Sequence, residues 1–473
     1  MDVVTVVVVP RCVLAVLGAA RGTSPRIPSL SFQRSVMVEL AERAAAASAR
    51  ARFRGSRMSK RLSFYGLVAL AASVCIFFLA FNQRYSSYLE HRLQPVISDI
   101  EIRPRTTKIQ EPVTVSQAYI TGSAYNGTIT EIQEVVDQQR RTIAREMENY
   151  EYPNGRYGIN VSKLEDLVME KGGRPMRSVI LTTWRTGSTF LGDVVNAHPA
   201  NFYHYEPLLD YGIVQIREPP LAEESLTRIV SLLNCEYKEL DRYLDYGKTH
   251  TWVFKHTTDL WRQCQAHKRI CWDPRFVSKF CRLFPFQSMK LVRLRLRIAE
   301  SLLAEEDLGV RLVLLIRDPR GILQSRKHRE WCPTKPDCSD PALVCADMVS
   351  DFSAAVELSK KYPRSFRVVR YEDLSVDPYK HVKELYNFYG LNFHVNVKRF
   401  LDTHTKNDEG GVSSTFRNSK VAPFHWRADL DFEEVREIQE VCATAMRLWG
   451  YVMALNSTHQ KDFDPITNYR LQL

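Results

Sequence analysis

Glycine is scarce in this 473-residue chain, at 20 residues, and proline numbers only 22. A collagen-like chain, with glycine at about one position in three, is therefore excluded. Hydrophobic residues make up 45% and charged residues 25%, an ordinary globular balance that also excludes a wholly disordered chain. No internal repeat is visible, and none of the ten cysteines forms a C-x-x-C pair, which counts against zinc. Acidic residues are the minority sign, 54 against 65 lysines and arginines, for a formal net charge of +11. A basic balance suits anionic partners: nucleic acid, a membrane surface, nucleotide phosphates or acidic glycans. Composition does not choose among them. The length allows a large core or two to three domains.

Charge is absent from one long stretch, Leu62 to Phe81, twenty residues reading LSFYGLVALAASVCIFFLAF. That length crosses about 30 Å of hydrocarbon. A buried core helix would show a polar face, and none is present. Arg50, Arg52, Arg54, Arg57, Lys60 and Arg61 precede the stretch, whereas only Arg84, Glu90 and Arg92 follow closely. The positive-inside rule then puts the N-terminus in the cytosol and the bulk of the chain across the membrane, a single-pass type II arrangement. A cleaved signal peptide is the rival, but the apolar run is too long for one. Residues 1–61 read as a cytosolic basic tail, with an over-extended reading frame starting truly at Met58 as the alternative.

Eight cysteines fall beyond the span: Cys235, Cys264, Cys271, Cys281, Cys332, Cys338, Cys345 and Cys442. An even number there suits disulfides in an oxidising compartment, of undeducible connectivity. Zinc at Cys264, Cys271 and Cys281, or at Cys332, Cys338 and Cys345, is the competing reading. Three glycosylation sequons, at Asn126, Asn160 and Asn456, also lie after the span.

Residues 82–173 read as a stem and connecting helix. Pro104, Pro112 and the Thr/Ser-rich stretch to Thr130 suit an extended connector, and Glu131 to Tyr150 has the spacing of an amphipathic helix. From 174 to 473 the pattern becomes strand, turn, helix. Arg177 to Thr183, Leu312 to Ile316 and Phe366 to Arg370 are strand-like, and Glu433 to Trp449 closes as a helix. This alternation predicts an α/β fold with a central parallel sheet and sites at the strand C-termini.

Two strand ends carry chemistry. The first is the turn Trp184-Arg-Thr-Gly-Ser-Thr189. Gly187 permits a tight turn, and Ser188 and Thr189 stand at a helix N-terminus, where free N–H groups and the helix dipole favour a phosphate. Arg185 adds charge. The turn lacks the Gly-Lys-Ser/Thr ending of a Walker A loop, and a plain N-capped turn is the simpler alternative. The second is Val313-Leu-Leu-Ile-Arg-Asp-Pro-Arg-Gly-Ile-Leu-Gln-Ser325. Arg317 ends a buried strand and Ser325 lies about a turn into the next helix, so both can face one anion. A local ion pair of Arg317 with Asp318 is the alternative.

Together with Arg370-Tyr-Glu-Asp-Leu374, these motifs resemble the Golgi carbohydrate sulfotransferases, most of all the galactose/N-acetylglucosamine/N-acetylgalactosamine 6-O-sulfotransferases. The resemblance covers roughly Arg174 to Tyr451. It implies a P-loop-like sulfotransferase fold behind a transmembrane helix and stem, in the Golgi membrane with a lumenal catalytic domain. It implies 3′-phosphoadenosine 5′-phosphosulfate (PAPS) as sulfuryl donor. The donor's 5′-phosphosulfate would lie on Arg185, Thr186, Gly187, Ser188 and Thr189, and its 3′-phosphate on Arg317 and Ser325. Arg417 and Trp426 fall where the family places a nucleotide-covering loop. The acceptor would be the 6-hydroxyl of N-acetylglucosamine or galactose in a glycan chain of a glycoprotein or proteoglycan. No metal and no nucleic acid is expected, and a homodimer is left open.

Acceptor attack needs a base. Glu206, the only carboxylate of Phe202-Tyr-His-Tyr-Glu-Pro207, is the candidate, with a structural ion pair as its plainer role. Neighbouring Tyr203, Tyr205 and Pro207 should desolvate it and raise its pKa, against opposition from nearby arginines. His204 and His256 are runners-up. Lys255, Lys290 and Arg293 are candidates for meeting substrate. A nucleotide kinase is the nearest rival, disfavoured by the missing Walker lysine. A glycosyltransferase would typically carry a D-x-D metal motif, and Asp241 to Asp245 reads D-R-Y-L-D. A membrane-anchored lectin is the non-enzymatic rival.

Overall fold

Five parallel strands form the central sheet: β1 (Met176–Leu181), β2 (Asn201–Tyr205), β3 (Phe286–Leu291), β4 (Val310–Ile316) and β5 (Phe366–Arg370), in the spatial order β2-β3-β1-β4-β5. The computed structural model describes residues 115–411 and 414–472, with side chains of the first helix from Thr128 onward. Residues 112–473 form one unit. Among the described residues no helix is long and apolar enough to cross a membrane. The Leu62–Phe81 stretch and the basic tail lie outside the described residues.

β4 reads Val-Arg-Leu-Val-Leu-Leu-Ile and is buried at six of its seven positions. It is apolar because helices cover both faces of the sheet, leaving no solvated side to favour alternation. β2 and β3 were not legible as strands. Their polar residues Asn201, His204, Gln287, Ser288 and Lys290 are all buried, which breaks the apolar pattern that marks β4.

Strand order decides where the site lies. After β1 the chain moves to β2 and β3 on one side, and after β4 it continues to β5 on the other. β1 and β4 are neighbours, so their outgoing loops diverge and open a crevice at their C-terminal ends. The helix α1 (Val115–Glu146) starts sixteen residues before Glu131, where the sequence suggests a connector. Once a buried segment anchors a helix, backward propagation adds one hydrogen bond per residue ordered. Ile132, Val135, Val136, Ile143 and Met147 pack into the same core as the sheet.

The loop after β1 enters α2 (Ser188–Asn196) and the loop after β4 enters α3 (Pro319–Lys327). Two longer helices, α4 (Pro341–Lys361) and α7 (Phe432–Trp449), pack together and are joined by the Cys345–Cys442 disulfide. Between them run the short α5 (Tyr371–Val376) and α6 (Val395–His404). The other disulfides are Cys235–Cys281, Cys264–Cys271 and Cys332–Cys338. All eight cysteines beyond the span are thereby paired, and neither cysteine triple remains to bind zinc.

Candidate active site

The turn after β1 is built around an inward-facing threonine. Thr186 Oγ1 lies 2.6 Å from Thr182 Oγ1 and donates to the Thr183 carbonyl at 3.0 Å, while Thr182 Oγ1 donates to Leu315 O of β4 at 2.7 Å. Thr186 is buried. Its side chain therefore holds the turn to the sheet, and the cavity is lined by its neighbours Arg185, Gly187, Ser188 and Thr189 instead. Arg326 reinforces the turn from α3, donating to Trp184 O at 3.1 Å and Thr183 Oγ1 at 2.7 Å.

Gly187 caps α2 at φ +86°, with no side-chain cap on the helix. A Cβ there would lie 2.2 Å from the Tyr371 ring. Glycine is thus required by conformation and by space, and the first N–H groups of α2 remain available. Arg185 also holds left-handed backbone, φ +68°.

The turn after β4 resolves the alternative for Arg317. Asp318 caps α3 by accepting from Arg320 N at 2.9 Å and pairs with the Arg320 guanidinium at 2.7 Å. Arg317 is left to the crevice. It lies over the Tyr371 ring, its Nη1 donates to Arg185 O at 2.8 Å, and its buried Nε has no hydrogen-bond partner among the described residues. Arg185 Nε donates to Ser325 Oγ at 3.0 Å.

Arg185, Gly187, Ser188, Thr189, Arg317, Ser325 and Arg417 all line one cavity of about 400 Å³. Arg329 lines it as well, and Asp429 is the only carboxylate in its wall. Burial first, then repulsion from Arg329 and Arg317, pushes Arg185 down to about 10. A partly buried cation depressed by its fellow cations marks a place suited to an anion. Sequence reasoning missed Arg329 and Tyr371. Arg329 stands four residues after Ser325, one helical turn on. Tyr371 lies within the quoted Arg370–Leu374 run, whose arginine instead pairs with Asp373 at 2.9 Å.

Beside this cavity lies a second polar cluster. Lys290 Nζ donates to Glu206 Oε1 at 2.7 Å and to Thr189 Oγ1 at 3.2 Å. Arg293 Nη1 donates to Glu206 Oε2 at 2.9 Å. The expected ion pair of Glu206 therefore exists, and two of the three candidate substrate cations form it. Burial pushes Glu206 up, but Lys290 and then Arg293 outweigh it and hold the carboxyl below its ordinary value. The expected rise does not occur because two cations, both nearly inaccessible, contact the same carboxylate. Glu206 also sits at φ +41°, so both it and Arg185 hold strained backbone of the kind that clusters at working sites.

Other candidates are placed elsewhere. Lys255 is exposed, over the Trp261 ring. Trp426 is buried beneath the Arg320 guanidinium at 4.1 Å and belongs to the core, not to a cover over the cavity. Arg417, nine residues earlier in the same stretch, does line the cavity. His204 is buried against Phe202, its charge suppressed by burial to a pKa of about 3, so it cannot meet a substrate. His256 is partly exposed, 3.5 Å from Asp193 and stacked on Tyr205 at 3.8 Å. Asn160 and Asn456 are exposed, and Asn126 lies within α1. Two D-x-D tripeptides do occur, Asp429-Leu-Asp431 and Asp462-Phe-Asp464. Asp431 caps α7 and Asp429 accepts from Gln324 at 2.6 Å.

Comparison with known proteins points the same way. Carbohydrate sulfotransferase 5 from Mus musculus is 26% identical over 332 residues, 61% of this chain and 84% of that protein. Carbohydrate sulfotransferase 6 from Homo sapiens is 27% identical over 330 residues, 60% and 82% respectively. Carbohydrate sulfotransferase 1 from Rattus norvegicus is 26% identical over 366 residues, 64% and 88%. Among solved structures, the sulfotransferase domain of the Synechococcus PCC 7002 olefin synthase gives a TM-score of 0.31 at 15% identity, covering 57% of this chain and 94% of that one, and adds nothing to the sequence match. Residues 175–450 match the sulfotransferase domain, a span that contains both anion-suited turns and the Glu206 cluster, and the chain belongs to the sulfotransferase family.

Proposed function

We propose that this enzyme transfers a sulfuryl group from PAPS to a carbohydrate, at the 6-hydroxyl of N-acetylglucosamine or galactose in a glycan of a glycoprotein or proteoglycan. The observation that carries the reading is the convergence of Arg185, Arg317 and the uncapped N-terminus of α2 on one cavity, two hydrogen bonds from a largely buried carboxylate held by two buried cations. The names of the relatives support the carbohydrate acceptor.

The residues fit the donor. Arg185 and the first-turn N–H groups of α2, with the hydroxyls of Ser188 and Thr189, would hold the 5′-phosphosulfate. Arg317, whose buried Nε lacks a partner among the described residues, and Ser325 would hold the 3′-phosphate, with Arg417 closing the cavity wall. PAPS supplies the sulfuryl group on a phosphate leaving group. The chain's cations oppose the charge that develops on the transferring and leaving oxygens. Lys290 links the two halves of the site by donating to Thr189 and Glu206 together. Glu206 would take the hydroxyl proton on a carboxylate oxygen.

The same proposal has residues 1–61 in the cytosol, 62–81 as membrane anchor, 82–173 as stem and connecting helix, and 174–473 in the Golgi lumen. Four disulfides and the exposed sequons Asn160 and Asn456 support an oxidising, glycosylating compartment. Equilibrium binding of radiolabelled PAPS to the full chain in detergent tests the donor. Saturable binding that weakens in Arg317→Ala supports it, and absence of binding to folded protein contradicts it.

A further inference from the structure

At the opposite end of β4 lies a second basic cavity, of about 640 Å³. Arg317 follows the last residue of β4 and Arg311 is its second residue, so the two ends stand roughly 20 Å apart at ~3.3 Å per residue. Arg311, Arg364 and Arg367 line this cavity. None of the three forms an ion pair among the described residues. Arg311 donates to the carbonyls of Phe388 and Tyr157, and Arg367 to that of Glu384. Glu384 is the one carboxylate in the wall, and its Oε2 faces His381 at 3.4 Å.

Uncompensated guanidinium groups around a concavity make an anion site, and the planar fork suits sulfate and carboxylate groups. The remaining wall is aromatic. Tyr157 is 44% exposed at φ +57°, between Gly155 and Gly158, which also hold positive φ. Its hydroxyl donates to Asn387 Oδ1 at 3.2 Å, so the ring is fixed while much of it meets water. Phe388 lies beneath Arg367, 5.1 Å from the guanidinium carbon. A fixed aromatic surface next to several cations matches a pyranose face carrying acidic substituents. The basin is shallow and open, and wider than one inorganic anion fills.

We propose that this cavity is a binding subsite for an anionic oligosaccharide, with sulfate or carboxylate groups on Arg311, Arg364 and Arg367 and a sugar face on Tyr157. It would hold an acidic stretch of a glycan remote from the reacting hydroxyl. The choice of a glycan among polyanions rests on the transferase reading above.

The test measures binding of a fluorescent chondroitin 6-sulfate hexasaccharide to the full chain, with the donor cavity saturated by 3′,5′-adenosine bisphosphate. Arg364→Glu/Arg367→Glu reverses the two arginines that do not tie the loop together. Tyr157→Gly removes the ring at a backbone angle glycine accepts. The double variant should weaken binding about tenfold or more, as loss of charge-assisted hydrogen bonds requires. Tyr157→Gly should weaken it less, added salt should weaken it in the wild type, and an uncharged oligosaccharide should not bind. Sulfuryl transfer to a monosaccharide acceptor should stay at the wild-type rate in both variants. Unchanged hexasaccharide affinity in the folded double variant overturns the subsite. Loss of binding in that variant, in a protein that transfers no sulfuryl group to any sugar, sustains the subsite and rejects the transferase reading instead.

Discussion

Lys290 Nζ lies 2.7 Å from Glu206 Oε1, joining the penultimate residue of β3 to the residue that follows β2. Sheet register creates this pair, because Tyr205 stands opposite Lys290. Removing the carboxylate therefore does two things. As the base, Glu206→Gln should lower kcat by roughly 10²–10⁴ while PAPS affinity is nearly retained. As the partner of two buried cations, it should also lower stability, by roughly 3–5 kcal/mol if neither cation finds a new anion. Steady-state kinetics with a parallel denaturation curve separates the effects. A folded Glu206→Gln enzyme with near-normal kcat would move proton removal to another group. His256 would be the next to test, and His204→Gln should leave kcat unchanged.

Arg317 reaches both the cavity and the Arg185 carbonyl, at 2.8 Å. Arg317→Ala should raise the KM for PAPS about tenfold or more, since a hydrogen bond to a charged group is worth roughly 1.5–3 kcal/mol. Donor titration at saturating acceptor reads this directly. An unchanged KM in folded protein removes Arg317 from the donor site.

Gly187→Ala puts a methyl group 2.2 Å from Tyr371 and keeps φ at +86°. The left-handed backbone alone costs roughly 1–2 kcal/mol, and the displaced Tyr371 withdraws the ring beneath Arg317. We expect a lower melting temperature and weaker PAPS binding together. Normal binding would mean that the turn tolerates rearrangement and that its shape is not what holds the donor.

Both turns were legible because their chemistry is local. A glycine before a helix, and an arginine at a strand end with a serine eight residues on, are readable in one dimension. The sheet's parallel character was legible from β4, but β2 and β3 were not, since their polar residues are buried for reasons supplied by distant partners. The inward turn of the Thr186 side chain toward Thr182 was not legible, because its neighbours in sequence face the cavity. The direction of the Glu206 shift was unreadable for a similar reason. Its cations stand 84 and 87 positions downstream, and only strand pairing brings them to it.

Acid tolerance follows from that shift. Glu206 is held below its ordinary value of 4.5, so its ionised form persists as pH falls to that point. The acidic limb of kcat due to this group should lie below pH 4.5, and its ion pairs should contribute stability above that pH that is lost as pH drops through the depressed pKa. A pH profile of kcat with an acidic limb at ordinary or raised glutamate values would contradict the assignment.

Glu372 behaves oppositely. Burial, with the nearby Asp318 carboxylate, pushes it up to about 7, while it accepts from Asp318 N–H at 2.9 Å and Tyr451 Oη at 3.1 Å. An acid that binds its proton more tightly when folded makes stability fall as pH rises, between about 4.5 and 7. The total is on the order of 3 kcal/mol. Glu372→Gln should flatten this part of the stability curve. Urea midpoints at pH 5 and pH 7.5 test it, and an unaltered slope in the variant would refute it.

The most direct test of the central claim follows the sulfuryl group itself. The full chain, in detergent, is incubated with ³⁵S-labelled PAPS and a panel of oligosaccharides ending in N-acetylglucosamine or galactose, and the sulfated position is mapped by mass spectrometry. We expect label on the 6-hydroxyl of one of these sugars, strongly reduced in Arg317→Ala at limiting donor and in Glu206→Gln at saturating donor. Label that stays on PAPS with every acceptor, in folded protein that binds the donor, would contradict the account.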